Sequence, residues 1–196
     1  MVLDSYRKNV DGVMEKIARP FLIFKPNTLS WAAFVFAALG GLFFYFGRLF
    51  LLLSFLMILL NTIFDAVDGK VARMRNLASK RGDFLDHLLD RYADTAIIAG
   101  IMFSAYTQPV WGLLALTGIY FTSYAGTHAL AVTHQRDYGG LLGRADRLVL
   151  LIILPILQFF NIHLYSYSIT TIILIIIGVL GNITAVQRSY RTWRKI

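Results

Sequence analysis

Long apolar runs, separated by short polar stretches, dominate the pattern of this chain. Each run is near the ~20 residues that a helix needs to cross a bilayer, and none alternates as a membrane β-strand does. The pattern predicts six membrane-spanning helices, which cover about residues 29–47, 49–74, 84–106, 109–133, 147–162 and 167–190. The predicted fold class is therefore an all-α integral membrane protein, since within lipid only helices and closed barrels satisfy their own backbone groups.

The first 25 residues have a different pattern. Charged residues are mixed there with apolar residues at helical spacing, namely Val10, Val13, Met14, Ile17 and Phe21. This predicts an amphipathic helix that lies on the membrane surface before the first span. No linker or internal repeat divides the chain, so we expect a single membrane domain over residues 1–196, with residues 1–25 as its juxtamembrane helix.

Composition supports the bilayer as the solvent of this chain. Hydrophobic residues make up 57% and charged residues only 15%, whereas soluble chains carry about 25% charged residues. The absence of cysteine excludes disulfides and thiolate metal sites. The net charge of +8 indicates a basic membrane-facing surface and no nucleic-acid partner, because the charges fall between apolar spans and form no single groove.

The basic residues also predict the orientation. Six spans would place 18 of the 19 lysines and arginines on one side, in the N-terminal segment, residues 70–91, the 136–147 loop and the C-terminal tail. Arg48 alone would lie on the other side. By the positive-inside rule, we expect a multi-pass protein of the cell membrane with both termini on the cytoplasmic side.

The acidic residues concentrate in residues 65–90, which read DAVDGKVARMRNLASKRGDFLDHLLD. Asp65 and Asp68 end the second predicted span, and Asp86 and Asp90 begin the third, so that each pair shares one helix face. Two such helices could aim four carboxylates into one cavity on the cytoplasmic side. Divalent cations would offset the repulsion between these charges, and an oxygen-only ligand set suits Mg²⁺, or Mn²⁺ in its place, better than Zn²⁺. We expect two ions, roughly 3.5–4 Å apart.

Residues between the two aspartate pairs are of types that can bind the diphosphate group of a nucleotide. Gly69 and Gly82 lack side chains and would let a nucleotide approach the backbone closely. Ala72 keeps the same helix face small, and Arg73 can pair with a phosphate.

This stretch resembles the signature of the CDP-alcohol phosphotransferase family, D-x2-D-G-x2-A-R-x8-G-x3-D-x3-D. Every spacing of the signature is kept, by Asp65, Asp68, Gly69, Ala72, Arg73, Gly82, Asp86 and Asp90. The resemblance implies an enzyme of phospholipid biosynthesis that transfers the lipid phosphate of a CDP-activated lipid to an alcohol and releases CMP. It also implies a homodimer in contact with membrane lipids.

The resemblance assigns roles by position. Asp65, Asp68 and Asp86 would be metal ligands, and Asp90 either a ligand or the catalytic base that deprotonates the hydroxyl. The implied CDP-binding residues are Asn27, Ser30, Asp68, Gly69, Ala72, Arg73 and Gly82. Helix capping explains Asn27 equally well.

A glycine-rich loop that ends in Arg144 and Arg147 bears on the acceptor. An arginine pair suits an alcohol that itself carries phosphate. The stretch resembles the phosphatidylinositol phosphate synthase branch of the family, which implies that Ser123, Arg144 and Arg147 bind inositol phosphate. It departs from that branch at Gly126, where those enzymes have lysine. The sequence of the loop, YGGLLGRADRL, most resembles the archaeal branch, the archaetidylinositol phosphate synthases. This resemblance would mean CDP-archaeol in place of CDP-diacylglycerol. Glycerol phosphate and serine are the alternative acceptors.

Two other classes of protein place carboxylates in membrane helices. A prenyltransferase also binds a diphosphate through Mg²⁺, but its aspartate motifs lie on widely separated helices of a longer chain. A cation transporter would carry intramembrane acids, yet the acids here lie at helix ends and no matching set appears in the second half.

Overall fold

The computed structural model describes residues 7–164 and 166–196, with side chains from residue 12 onward. Helices account for most of these residues. They are α1 (Arg7–Ala18), α2 (Pro26–Phe46), α3 (Leu51–Met74), α4 (Lys80–Met102), α5 (Pro109–Thr133), α6 (Arg144–Phe159) and α7 (Ile169–Trp193). Short 3₁₀ turns at Arg19–Ile23 and Arg48–Phe50 precede α2 and α3, and a hairpin of two antiparallel two-residue strands, β1 (His163–Leu164) and β2 (Tyr167–Ser168), precedes α7.

The prediction of an all-α membrane protein is confirmed, apart from the small hairpin. Within the described residues, three helical stretches are long and apolar enough to cross a bilayer, namely Pro26–Phe46, Arg48–Met74 and Ile169–Trp193. Helices α4, α5 and α6 lie at the remaining predicted positions. The sequence alone placed the starts of α4 and α6 three or four residues too late, because side chains cap both helices. Ser79 accepts a hydrogen bond from the Gly82 amide, and Asp146 accepts one from the Gly143 amide.

Part of the predicted surface helix packs against the protein itself. Of residues 1–25, residues 1–6 lie outside the described part of the chain, and α1 covers Arg7–Ala18. Ala18 is fully buried in a cluster with Leu29, Val67 and Val71. The N-terminal segment is therefore fixed to the end of α3 that carries the aspartate motif.

Two glycines let α2 and α4 approach at backbone distance. A Cβ at residue 100 would lie 1.9 Å from the Gly41 carbonyl oxygen, and one at residue 41 would lie 2.2 Å from the Ala96 carbonyl oxygen. Real Cβ atoms do not come this close, so both positions require glycine. This contact sets the separation of the helices that carry Ser30 and the second aspartate pair.

Gly100→Ala is expected to lower the free energy of unfolding by at least about 1–3 kcal/mol, the usual cost of overpacking, because a backbone carbonyl cannot turn aside as a side chain can. Thermal unfolding in detergent measures this. The matched control is Gly12→Ala, where nothing lies within 4 Å and alanine favours the helix by about 1 kcal/mol. Equal unfolding midpoints for the two variants would contradict this packing.

Candidate active site

A small polar cleft lies between α2, α3 and α4. Its polar lining residues are Ser30, Asn61, Asp65, Asp68, Asp86 and Asp90. The structure thus brings the four motif carboxylates to one cleft, although they come from two helices and are up to 25 residues apart in sequence.

Buried hydrogen bonds position the α3 side of the cleft. The Ser30 hydroxyl donates to Asp68 Oδ2 over 2.6 Å, and Asp68 is only 4% exposed. Two turns before Asp68 on α3, Asn61 Nδ2 donates to the Ala33 carbonyl over 2.9 Å. These bonds join α3 to α2 and direct the Asp68 carboxylate into the cleft.

A histidine that the sequence did not single out lies beside the α4 side of the cleft. Ligand atoms of Asp86, His87 and Asp90 all lie within 4.8 Å of one another. A helix turns about 100° per residue, so the spacing alone gave no reason to place His87 beside the aspartate pair. Because carboxylate oxygens dominate the donors and several carboxylates share one small cleft, the residues fit a divalent metal ion.

Arg144, the first residue of α6, reaches the cleft. Its Nη2 donates to Asp65 Oδ1 over 2.8 Å and also to Asp90 Oδ1. One guanidinium nitrogen therefore bridges the two aspartate pairs. The sequence predicts Arg144 at the acceptor site, and its spacing gives no indication of this contact with the aspartates.

Arg147 is held one turn deeper, behind the cleft. It is 4% exposed, and its Nη2 donates to Asp94 Oδ2 over 2.9 Å. Arg91 Nη1 lies 3.0 Å from the same oxygen. Among the described residues, Arg147 Nε is buried without a hydrogen-bond partner. Asp94 lies outside the family signature, and it is the residue that fixes Arg147 on α4.

The other predicted site residues lie around the ends of α2, α3 and α4. A Cβ at residue 82 would lie 3.7 Å from Asn27 Oδ1, so Gly82 and Asn27 are neighbours. On α3, Gly69 and Ala72 are half-buried and Arg73 is exposed. Ser123 on α5 is half-buried and is not among the residues that line the cleft.

Two arginines of α7 hold the loop that leads into Arg144. Arg188 donates to the backbone carbonyls of Thr122, Tyr138 and Gly139, and Arg191 makes two hydrogen bonds to the Asp137 carboxylate, of 2.8 and 3.2 Å. From the sequence, both arginines counted only among the basic residues of the C-terminal tail. Backbone carbonyl partners leave no signature in sequence. This clamp, by which we mean the contacts of Arg188 and Arg191 with the loop, was therefore not predictable.

The clamp also sets the acidity of its carboxyl group. Burial acts to raise the pKa of Asp137, but hydrogen bonds from Arg191 and the Gly139 amide, with the charges of Arg191 and Arg188, outweigh it and hold the pKa below its ordinary value. A carboxyl with a lowered folded-state pKa stabilises the fold above its unfolded pKa, which is about 3.9, and loses that contribution as the pH falls through the lower folded value.

Asp137→Asn is therefore expected to cost stability at neutral pH and much less in acid. The difference in free energy of unfolding between the two proteins should stay constant from neutral pH to about 4 and shrink below it. Chemical unfolding in detergent at several pH values measures this difference. A difference that does not change below pH 4 would show that the Asp137 charge does not stabilise the loop.

Comparison with known proteins points to one enzyme family. The family model for CDP-alcohol phosphatidyltransferase matches residues 23–183. Archaetidylinositol phosphate synthase of Pyrococcus horikoshii is 26% identical over 100% of this chain and 98% of its own length. The enzyme of the same name from Methanothermobacter thermautotrophicus is 28% identical over 97% of this chain and 91% of its own length.

Solved structures show the same fold. Phosphatidylinositol phosphate synthase of Mycobacterium tuberculosis, in complex with manganese and citrate, superposes with a TM-score of 0.77 at 24% identity, over 92% of this chain and 88% of that one. A structure of the same protein with CDP-DAG bound gives a TM-score of 0.75, over 92% and 94%. Since the family model spans most of the sequence, including the whole aspartate motif, this chain belongs to the CDP-alcohol phosphatidyltransferase family and is a transferase.

Proposed function

We propose that this protein transfers the lipid phosphate of a CDP-activated lipid to a hydroxyl of inositol phosphate and releases CMP. The observation that carries the proposal is the cleft in which four motif carboxylates meet Arg144. A cationic side chain beside a metal-ligand set suits an acceptor that brings its own phosphate. The names of the similar archaeal and bacterial enzymes support inositol phosphate as that acceptor.

Asp65, Asp68, Asp86 and Asp90 would hold the metal, which we propose to be two Mg²⁺ ions that Mn²⁺ can replace. Manganese in the related mycobacterial structure supports a divalent ion. Bound divalent cations neutralise a diphosphate and the departing nucleotide phosphate, where most of the catalysis of phosphoryl transfer lies. Ser30 keeps the Asp68 carboxylate turned into the cleft through its hydrogen bond.

Asp90 is our candidate for the catalytic base. It lies at the contact between the cleft and Arg144, the side from which a phosphorylated acceptor would enter. A carboxylate oxygen there accepts the proton of the acceptor hydroxyl as the hydroxyl oxygen attacks the lipid phosphorus. The bond from phosphorus to the CMP oxygen breaks, and CMP leaves.

The CDP group would bind where the ends of α2, α3 and α4 meet. Gly82 beside Asn27 offers bare backbone to the nucleotide, and Gly69 and Ala72 keep the last turns of α3 narrow. Arg73 is exposed at this end and can reach a phosphate. Ser30 and Asp68 form the inner wall of the same region.

Arg144 would bind the acceptor phosphate, with Arg147 and Ser123 completing the acceptor site. Arg144 stands at the N-terminus of α6, where the helix dipole also favours an anion. Arg147 lies one turn after Arg144 on α6 and is fixed by Asp94 of α4. This contact sets the position from which Arg144 projects.

We further propose that α2–α7 all cross the membrane and that α1 lies at its cytoplasmic surface, with the cleft and both termini on that side. The distribution of basic residues supports this orientation. Residues 1–196 would form one domain, and two copies a homodimer, as the family resemblance implies.

A panel of acceptors tests the proposed function. Purified protein in nanodiscs is given CDP-archaeol or CDP-diacylglycerol with Mg²⁺, and CMP release is measured with inositol phosphate, inositol, glycerol phosphate and serine. We expect inositol phosphate to give by far the highest kcat/KM. Strong preference for an unphosphorylated acceptor would overturn the acceptor assignment.

A further inference from the structure

Arg144 occupies a position that a metal ion would need. Its single Nη2 atom bonds one oxygen of Asp65 and one oxygen of Asp90 at the same time. An ion held by both carboxylates would compete with the guanidinium for their oxygens, which Mg²⁺ usually approaches to about 2.0–2.1 Å. Where the ion uses the oxygens that Arg144 contacts, the guanidinium nitrogen has to leave.

Arg144 is also the more exposed of the two arginines at the start of α6. Its side chain is 41% exposed, whereas that of Arg147 is 5% exposed and paired with Asp94. Arg91 pairs with Asp94 as well, so this inner group is held together without Arg144. Metal loading would therefore displace Arg144 and leave the inner pair in place.

The charges around the cleft favour the exchange. Five carboxylates, counting Asp94, face the three guanidinium groups of Arg91, Arg144 and Arg147. Two divalent ions would bring four positive charges, which together with Arg91 and Arg147 more than balance the five carboxylates. Arg144 would then lose its attraction to them. The displaced guanidinium then lacks an anion, and a phosphate group is a strong partner for it.

We propose that Arg144 alternates between two partners, the metal-ligand carboxylates when the cleft holds no metal and the phosphate of the acceptor when metal is bound. Metal binding then creates the acceptor site, and linkage requires that the acceptor tighten metal binding by the same factor. The inference rests on the proposed function for the nature of the acceptor.

Mn²⁺ affinity, measured by the electron paramagnetic resonance signal of the free ion, tests this coupling. The full chain in nanodiscs is titrated with Mn²⁺ in the absence of CDP-lipid, so that no turnover occurs. The titration is run with inositol phosphate, with inositol and with neither. For the unaltered protein, inositol phosphate should tighten Mn²⁺ binding at least ~5-fold, a usual size for such coupling, and inositol should have no effect. In Arg144→Gln, Mn²⁺ should bind more tightly without acceptor, and the coupling should fall below about 2-fold.

Two further variants separate the exchange from a general charge effect. Arg144→Lys keeps one cationic nitrogen and should retain part of the coupling. Arg75→Gln removes the same charge from an exposed arginine that bonds the Phe24 carbonyl, and it should behave as the unaltered protein does. Coupling that persists in Arg144→Gln, or is absent from the unaltered protein, overturns the inference. If the unaltered protein instead fails to release CMP from any CDP-lipid, the proposed function itself is wrong.

Discussion

Asp90→Asn is expected to abolish turnover while CDP-lipid binding persists. The amide has nearly the size of the carboxyl, so this buried position, 7% exposed, should keep its packing. It cannot take a proton from the acceptor hydroxyl, and loss of a general base costs on the order of 10²–10⁴-fold in rate. CMP release measures the turnover, and calorimetric titration with the CDP-lipid measures the binding.

Asp83→Asn provides the control for this variant. Asp83 lies on the same helix, but its side chain is 75% exposed and it is not among the residues that line the cleft. We expect it to keep the activity of the unaltered protein. Full activity in Asp90→Asn would remove Asp90 as the base and leave the reaction to the other three carboxylates.

Arg147→Ala should have the largest effect on stability. Removing one partner of a buried ion pair leaves an uncompensated charge, which usually costs about 3–5 kcal/mol. Arg91 still lies 3.0 Å from Asp94 and offsets part of that charge, so we expect a loss near the lower end of this range. Denaturant unfolding in detergent gives the loss directly. In the fraction that folds, the acceptor KM should rise steeply, because Arg144 projects from the turn that Arg147 fixes.

A double variant shows whether the pair itself is responsible. Asp94→Asn together with Arg147→Ala removes both charges, so it should unfold less readily than Arg147→Ala alone. The loss in the double variant is compared with the sum of the losses of Arg147→Ala alone and of Asp94→Asn alone. If the two single losses simply add, the two residues are not coupled and the buried ion pair does not stabilise α6 on α4. An unchanged acceptor KM for every phosphorylated alcohol would remove Arg147 from the acceptor site.

Local features of the sequence predicted the family and the converging carboxylates. The 3- and 4-residue spacings of Asp65, Asp68, Asp86 and Asp90 fix a helix face whatever the rest of the chain does. The lengths of the apolar runs predicted the positions of the helices in a similar way. Family membership, carried by the match over residues 23–183, excludes the alternatives of a prenyltransferase and a cation transporter.

Contacts between distant segments could not be predicted in this way. Arg144 and Asp65 are 79 residues apart, and Arg188 bonds carbonyl groups about 50 to 66 residues away. Such contacts depend on how α6 and α7 pack, and neither spacing nor composition encodes that packing. The buried pair of Arg147 and Asp94 shows the consequence, since a basic residue near a helix start looks the same in sequence whether it binds ligand or packs inside.

The fate of the acceptor's hydroxyl oxygen tests the central claim most directly. Inositol phosphate whose hydroxyl groups carry ¹⁸O is incubated with CDP-lipid, Mg²⁺ and the protein, and both products are analysed by mass spectrometry. If the hydroxyl attacks the lipid phosphorus, one ¹⁸O bridges inositol and phosphorus in the new lipid, and the released CMP carries none. A product in which labelled inositol is joined to CMP, with free lipid phosphate beside it, would show attack on the other phosphorus and contradict the account.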